Sequence, residues 1–94
     1  PDVYALKQNF PNPFNPVTQI RYQLPEVSLV TIQIYNIMGR VVRTLVNSEK
    51  QITGYRQVTW NALNDLGQPV SAGMYLYVIH AGDFRDTKKM VLIK

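Results

Sequence analysis

The sequence contains no cysteine, which excludes a disulfide framework and thiolate metal sites. No apolar run approaches the roughly eighteen residues that a membrane-spanning segment needs. The N-terminus lacks the charged segment followed by an apolar one that is typical of a signal peptide. The chain begins with Pro1-Asp2 rather than Met, and we expect it to be a piece of a longer protein.

Acidic residues are also few: six Asp and Glu stand against ten Lys and Arg, giving a net charge of +4. Six of the cations fall into two groups, neither of which forms the run of like charges typical of a polybasic arm. The dense basic stripe of a nucleic-acid-binding module is missing as well. We therefore expect solvated strand faces and turns, and no nucleic-acid partner, for these six residues: Arg40, Arg43, Lys50, Lys88, Lys89 and Lys94.

Turn residues recur at short intervals between stretches of alternating apolar and polar residues, a pattern that indicates an all-β fold. We predict that residues 1–94 form one domain, an immunoglobulin-like antiparallel β-sandwich of about seven strands with Trp60 in its core. No window has a helical period. The predicted strands are Tyr4–Asn9, Thr18–Leu24, Leu29–Asn36, Val41–Val46, Tyr55–Trp60, Gly73–Ala81 and Arg85–Lys94.

The connections between these strands are less regular. Val41–Val46 and Gly73–Ala81 are predicted to be central strands, whereas Asn47–Thr53 and Asn61–Ala72 are predicted to be loops. The segment Asn9–Pro16 contains three prolines in six residues, which excludes a helix and a central strand. We predict an ordered extended loop there, anchored to the core by Phe10 and Phe14.

The sequence offers little catalytic chemistry. The single histidine, His80, lies within a predicted strand, and we expect it to be a packed or surface residue. The six acidic residues are scattered over predicted turns and termini, and no glycine-rich phosphate loop is present. We therefore predict a non-enzymatic domain with no catalytic residues, no metal and no cofactor.

Two binding alternatives remain open from the residues alone. Asn61, Asn64 and Asp65 precede Gly67 and carry the oxygen ligands that calcium takes, but the same residues are typical of a tight turn, which we favour. Tyr35 and Tyr55 fall opposite the inward-facing series and are the best candidates for an exposed sugar-binding platform. The second function hypothesis is accordingly an accessory module, carbohydrate-binding or a structural spacer, next to a secreted catalytic domain.

Four stretches of the sequence form a recognisable series when they are taken in order. They are Asn9-Phe10-Pro11-Asn12-Pro13-Phe14-Asn15-Pro16 continuing to Pro25, Ile32–Leu45, Val58–Tyr77 with its Asn64-x-x-Gly67, and Lys88–Lys94. Together they resemble the C-terminal sorting domains of the type IX secretion system. The immunoglobulin-like module of flagellar hook-capping proteins shares the region from Gly67 to Tyr75. The sorting-domain family often has an Asp-Gly pair after the tryptophan where this chain has Asn61-Ala62, which weakens any metal role there.

The resemblance implies a signal domain at the end of an exported cargo protein. Such a cargo passes through the periplasm, its tail is recognised by outer-membrane machinery, and in many relatives a sortase-like peptidase removes the tail. The cargo then stays at the cell surface or is released. On this resemblance, the sorting signal is assigned to seven residues: Lys88, Lys89, Met90, Val91, Leu92, Ile93 and Lys94.

The predicted last strand also suggests how recognition works. An edge strand is a template for β-strand addition, and lysines at an edge guard against aggregation. Lys88 and Lys89 fit both roles. The same edge predicts that two copies can exchange strands to form a homodimer.

Overall fold

The computed structural model describes all 94 residues, Pro1–Lys94. It contains seven β-strands and no helix, and hence no helix long and apolar enough to cross a membrane. The strands are β1 (Ala5–Leu6), β2 (Thr18–Leu24), β3 (Ser28–Asn36), β4 (Val41–Gln51), β5 (Gly54–Trp60), β6 (Gly73–Ala81) and β7 (Phe84–Leu92).

The strands form two antiparallel sheets, with order β1-β2-β5 in one and β4-β3-β6-β7 in the other. Alternation within each strand directs every second side chain into the space between the sheets. In β2, for example, Ile20, Tyr22 and Leu24 are buried, whereas Gln19 and Arg21 are exposed. The predicted immunoglobulin-like β-sandwich is thereby confirmed.

Aromatic side chains fill one end of the core. The Trp60 indole is fully buried, and its ring centroid lies 5.8 Å from that of Phe14 and 5.3 Å from that of Tyr75. The indole N–H donates to the carbonyl oxygen of Leu63 at 2.9 Å, so its one polar atom is satisfied. Trp60 thus holds together β5, β6 and the loop that carries Phe14.

Four local predictions were wrong. The first strand has only two residues, Ala5–Leu6, where Tyr4–Asn9 was predicted. β4 continues to Gln51, so residues 47–51 are strand rather than loop, and β4 lies at a sheet edge rather than at its centre. Its pairing with β3 has three register shifts, which blur the alternation that the prediction relied on. Phe14 is 1% exposed and anchors the proline-rich loop as predicted, but Phe10 is 69% exposed and anchors nothing.

Two turns are built on the same Asn-x-x-Gly pattern. In each, the asparagine side-chain oxygen accepts N–H bonds from the residues two and four positions later, and the glycine N–H donates to the asparagine carbonyl oxygen. The glycines, Gly39 and Gly67, have φ angles of +80° and +78°, which only glycine adopts without strain. Both turns lie at the same end of the sandwich, because Asn36 and Asn64 line one hollow together with Tyr75 near the start of β6.

The chain termini lie at opposite ends of the molecule. Tyr4 stacks on Phe84 with ring centroids 5.2 Å apart, which places the N-terminal segment at the β6–β7 hairpin. At the other end, Leu92 pairs with Gly73, and the Lys94 ammonium donates to the carbonyl oxygen of Val70. We call these ends the amino pole and the carboxyl pole.

Candidate functional site

The predicted sorting signal occupies the second half of β7 and the two residues after it. Lys89, Val91 and Ile93 point outward and are exposed, whereas Met90 and Leu92 are buried in the core. The apolar run therefore alternates between the two faces of the sheet, as a strand requires. β7 is an edge strand, as predicted.

The outer backbone edge of this half of β7 is already occupied. The Phe14 N–H donates to the Val91 carbonyl, the Ile93 N–H donates to the Phe14 carbonyl, and both distances are close to 3 Å (3.0 and 2.9 Å). Side chains complete the cover: the Val91 N–H donates to Asn12 Oδ1 at 3.0 Å, and Gln8 Nε2 donates to the Lys89 carbonyl at 2.8 Å. We call residues 8–14, which make these bonds, the clamp segment.

A buried polar network shapes the clamp segment from within. Asn9 is 2% exposed, and its Nδ2 donates to Thr18 Oγ1 at 3.0 Å. The Thr18 hydroxyl in turn donates to the carbonyl oxygen of Pro11 at 2.8 Å. Since a buried polar group costs free energy unless it is bonded, this network favours one path for the loop.

Tyr77 ties the clamp segment to the sheet that carries the signal. Its fully buried hydroxyl donates to the Lys7 carbonyl at 2.7 Å and accepts the Asn9 N–H at 2.8 Å. Burial raises the pKa of Tyr77 to about 12, an effect that the hydrogen bond from the Asn9 backbone opposes. Tyr77 also lies opposite Lys88 in the β6–β7 register, so one residue touches both parts of the candidate site.

The lysines of the signal are not paired with acids. The one salt bridge in the structure joins Arg43 to Asp65 at 3.9 Å, and Arg43 lies on β4, at the opposite edge of the sheet from β7. Lys89 and Lys94 are exposed, whereas Lys88 shares the inward face with Met90 and is partly buried at the sheet edge. The outer face of the signal thus presents the Lys89 ammonium beside exposed Val91 and Ile93, whereas the Lys94 ammonium is bonded to the Val70 carbonyl at the carboxyl pole.

The polar loop considered for calcium has the geometry of a turn. Asn64 Oδ1 accepts two backbone N–H bonds within the Asn-x-x-Gly turn. Asp65 Oδ1 accepts the Thr44 N–H at 2.9 Å and faces Arg43. Asn61 is exposed, and no group of three or more His, Cys, Asp or Glu side chains assembles here or elsewhere.

The two tyrosines considered for a sugar platform do not come together. Tyr55 is 77% exposed on β5, whereas Tyr35 is half-buried on β3 of the other sheet and donates its hydroxyl to Gln33 Oε1. His80 is exposed on β6 and makes no side-chain hydrogen bond. The structure therefore brings the second half of β7 and the proline-rich loop together, and it places Tyr35 and Tyr55 on different sheets.

Sequence reasoning missed the residues that link these two stretches. Asn12, Gln8 and Tyr77 were not singled out for this role, although all three make direct hydrogen bonds in the site. For Asn12, the sequence did hold a signal: it is a polar residue between two prolines. Such a residue cannot pair in a regular strand ladder, so its side chain is available to bond another part of the chain. Its partner, 79 residues away, was not readable from the sequence.

Comparison with known proteins supports the resemblance. The secretion system C-terminal sorting domain family matches residues 8–94. A comparison with curated proteins gave no match. Among solved structures, the dimeric latent form of PorU from Porphyromonas gingivalis superposes with a TM-score of 0.74 at 25% identity, over 99% of this chain and 9% of that one.

PorZ, a surface component of the type-IX secretion system of the same bacterium, superposes with a TM-score of 0.64 at 19% identity, over 99% of this chain and 12% of PorZ. This second likeness concerns the fold alone. The chain thus spans about a tenth of the length of each of these proteins. The family match covers nearly the whole sandwich, clamp segment and signal strand included, and the chain belongs to the secretion system C-terminal sorting domain family, whose members are C-terminal signals for type IX secretion.

Proposed function

We propose that residues Lys88–Lys94 are the recognised part of this sorting domain and that the secretion machinery reads their outward side chains. The observation that carries the proposal is the cover over the outer edge of β7. Four hydrogen bonds from the clamp segment occupy the backbone groups of Lys89, Val91 and Ile93. Strand addition at this edge, or strand exchange between two copies, requires those bonds to break, whereas the outward side chains are accessible as they stand.

Deleting Lys88–Lys94 is a poor test, because it removes Met90 and Leu92 from the core. Both side chains are essentially fully buried, at 0% and 1% exposure, and losing each costs about 2–5 kcal/mol. A domain of this size does not tolerate that loss, so failed export would report unfolding. The test must change the outer face and leave the inner face intact.

A four-site variant meets this requirement: Lys89→Ser, Val91→Thr, Ile93→Thr and Lys94→Ser. We expect it to fold like the wild type by circular dichroism and to lose export of a fused reporter in a host with a type IX system. The matched control is Arg85→Ser with Thr87→Ser, on the same strand and face but before the signal. Normal export of a folded four-site variant would contradict the proposal, and so would equal loss in the control.

The proposal includes further features of the role, which membership of the sorting-domain family supports. The domain acts as a non-catalytic tail of an exported cargo that crosses the periplasm on its way to the cell surface or the medium. Its partners are the outer-membrane machinery and a sortase-like peptidase. A cargo joined at Pro1 would lie at the amino pole, with the signal facing away from it at the carboxyl pole.

A strand-exchanged homodimer is tested separately. Exchange through β7 must replace the clamp bonds with bonds to a second copy. Light scattering over a concentration series should then show a dimer that Asn12→Ala favours, because that variant weakens the clamp. A monomer at every concentration for both proteins would rule out strand exchange.

A further inference from the structure

Three of the four sheet edges in this sandwich are protected. β1 is two residues long, and β4 has three register shifts and bonds Asp65 through Val42 and Thr44. The outer edge of β7 is covered near its end by the clamp segment. In the middle of β7, two charged side chains, Asp86 and Lys88, lie on the inward face. Short, irregular, covered and charged edges are the usual means by which sheet proteins avoid pairing with other strands.

β5 is the exception. It pairs with β2 along its whole length, Gly54–Trp60, without a register shift. The backbone groups of Gln19 and Arg21 in β2 form hydrogen bonds on the β1 side of the sheet. Because backbone direction alternates along a strand, the backbone groups of the even-numbered β2 residues bond to β5. Three consecutive odd positions of β5 therefore direct their backbone N–H and C=O groups away from the sheet: Tyr55, Gln57 and Thr59.

The surroundings of this open edge are cationic. Three cations, Lys7, Arg21 and Arg56, line a hollow together with Tyr55. None of the three forms a salt bridge. The outward side chains of β2 and β5 include no acid. On the facing strand β4, the Glu49 carboxylate accepts a hydrogen bond from Gln51 Nε2 and is not paired with any of these cations.

The inner side of the edge is partly apolar. Val58 is half-buried and packs against the core from the edge strand, two residues from Arg56. A strand laid beside β5 would bury more of Val58 with an apolar side chain and place a carboxylate beside the Arg56 guanidinium. Cross-strand pairs of both kinds stabilise sheets.

We propose that the β5 edge binds an extended acidic peptide segment of a partner protein as an additional strand. The backbone groups of Tyr55, Gln57 and Thr59 supply the hydrogen bonds, and Arg56, with Arg21 and Lys7 behind it, selects for acidic sequence. This surface lies on the other sheet from Lys88–Lys94. It is therefore independent of the sorting signal, and its test does not involve secretion.

The test is titration of the 94-residue chain with a capped peptide of about eight residues, long enough for one strand, that alternates Thr with Val and Glu. We expect saturable binding that weakens with salt and is about tenfold weaker for the peptide with Lys in place of Glu. Equal affinity for both peptides, or no binding at millimolar concentration, overturns the proposal.

Two variants locate the binding. Gln57→Pro removes an N–H that points away from β2, at an edge position where proline is tolerated, and should weaken binding about tenfold or more. Gln57→Ala keeps the N–H and should bind like the wild type. Unchanged binding to a folded Gln57→Pro variant would place the peptide elsewhere and refute the β5 assignment.

Hydrogen exchange of the wild-type chain keeps the proposal testable if the proline variant does not fold. The amides of Tyr55, Gln57 and Thr59 should exchange fast alone and slow down when the acidic peptide binds, while those of Arg56 and Val58 stay protected throughout. Slow exchange of the first three without peptide would mean that the edge is not open. Fast exchange in the presence of saturating peptide would mean that no strand is added.

Discussion

At the scale of single residues, Tyr77 contributes to stability through its hydroxyl as well as through the burial of its ring. Its hydroxyl satisfies two backbone groups of the N-terminal segment, the Lys7 carbonyl and the Asn9 N–H. Leaving such groups without partners costs about 1–3 kcal/mol each when they are buried. The hydroxyl therefore stabilises the path of the segment that continues into the clamp.

Replacing this hydroxyl should destabilise the fold. We expect Tyr77→Phe to lower the free energy of unfolding in urea by about 2 kcal/mol, because both backbone partners lose a bond. Tyr55→Phe is the matched control, since Tyr55 is 77% exposed, and should change it by less than about 0.5 kcal/mol. Equal effects of the two substitutions would show that the Tyr77 hydroxyl contributes nothing.

The same residue predicts a pH dependence. The pKa of Tyr77 is about 12 in the folded state and 10.0 in the reference state, so the folded form holds the phenol proton more tightly. Its contribution to stability is fully present below pH 10 and is lost as the pH rises toward 12. The stability difference between wild type and Tyr77→Phe should be constant below pH 10 and shrink above it; a constant difference up to pH 12 would contradict the raised pKa.

The two phenylalanines of the proline-rich loop show where residue-level prediction succeeds and fails. Both are next to a proline and look equivalent in the sequence, but Phe14 lies against Trp60 whereas Phe10 faces solvent. Phe14→Ala should cost about 3–5 kcal/mol in chemical denaturation and Phe10→Ala less than about 1 kcal/mol. A similar cost for both would restore the sequence-based expectation that both are anchors.

At the scale of elements, alternation made the inner strands predictable. β2 and β3 bury alternate side chains against a single core, so their sequences carry the period directly. β6 was predicted from a run that is apolar on both faces, and the structure buries Tyr77, Val78 and Ile79 in succession. β4 carries bulges and lies at an edge, where polar residues such as Asn47 and Lys50 are compatible with a strand, and composition alone suggested a loop. The Asn-x-x-Gly turns were visible as motifs, although their hydrogen bonds required the structure.

The hydrogen bonds between the clamp segment and β7 can be tested through amide exchange at the residues they hold. Asn12→Ala removes the acceptor of the Val91 N–H, and we expect faster amide exchange at Val91 and Ile93 with a cost in global stability of about 1 kcal/mol or less. Asn15→Ala is the control, because Asn15 is exposed in the same loop and makes no side-chain hydrogen bond. Unchanged exchange at Val91 in the Asn12 variant would show that the side chain does not hold the strand.

At the scale of the whole molecule, the fold separates the two termini and joins two distant motifs. The proline-rich stretch and the terminal stretch, both recognisable in the sequence, meet at the carboxyl pole through bonds that span up to 81 residues. Such pairing depends on which strands become neighbours, and local patterns do not encode it. The fold class and the family were therefore predictable, whereas the covered state of the signal strand was not.

The most direct test of the sorting role is export itself. Residues 1–94 are fused behind a signal peptide and a fluorescent reporter and expressed in a host with a type IX system and in the same host with that system inactivated. We predict reporter at the surface or in the medium only when the system is active, and in the periplasm otherwise. A folded fusion that stays periplasmic in both hosts, or leaves both equally, would contradict a type IX sorting function for this domain.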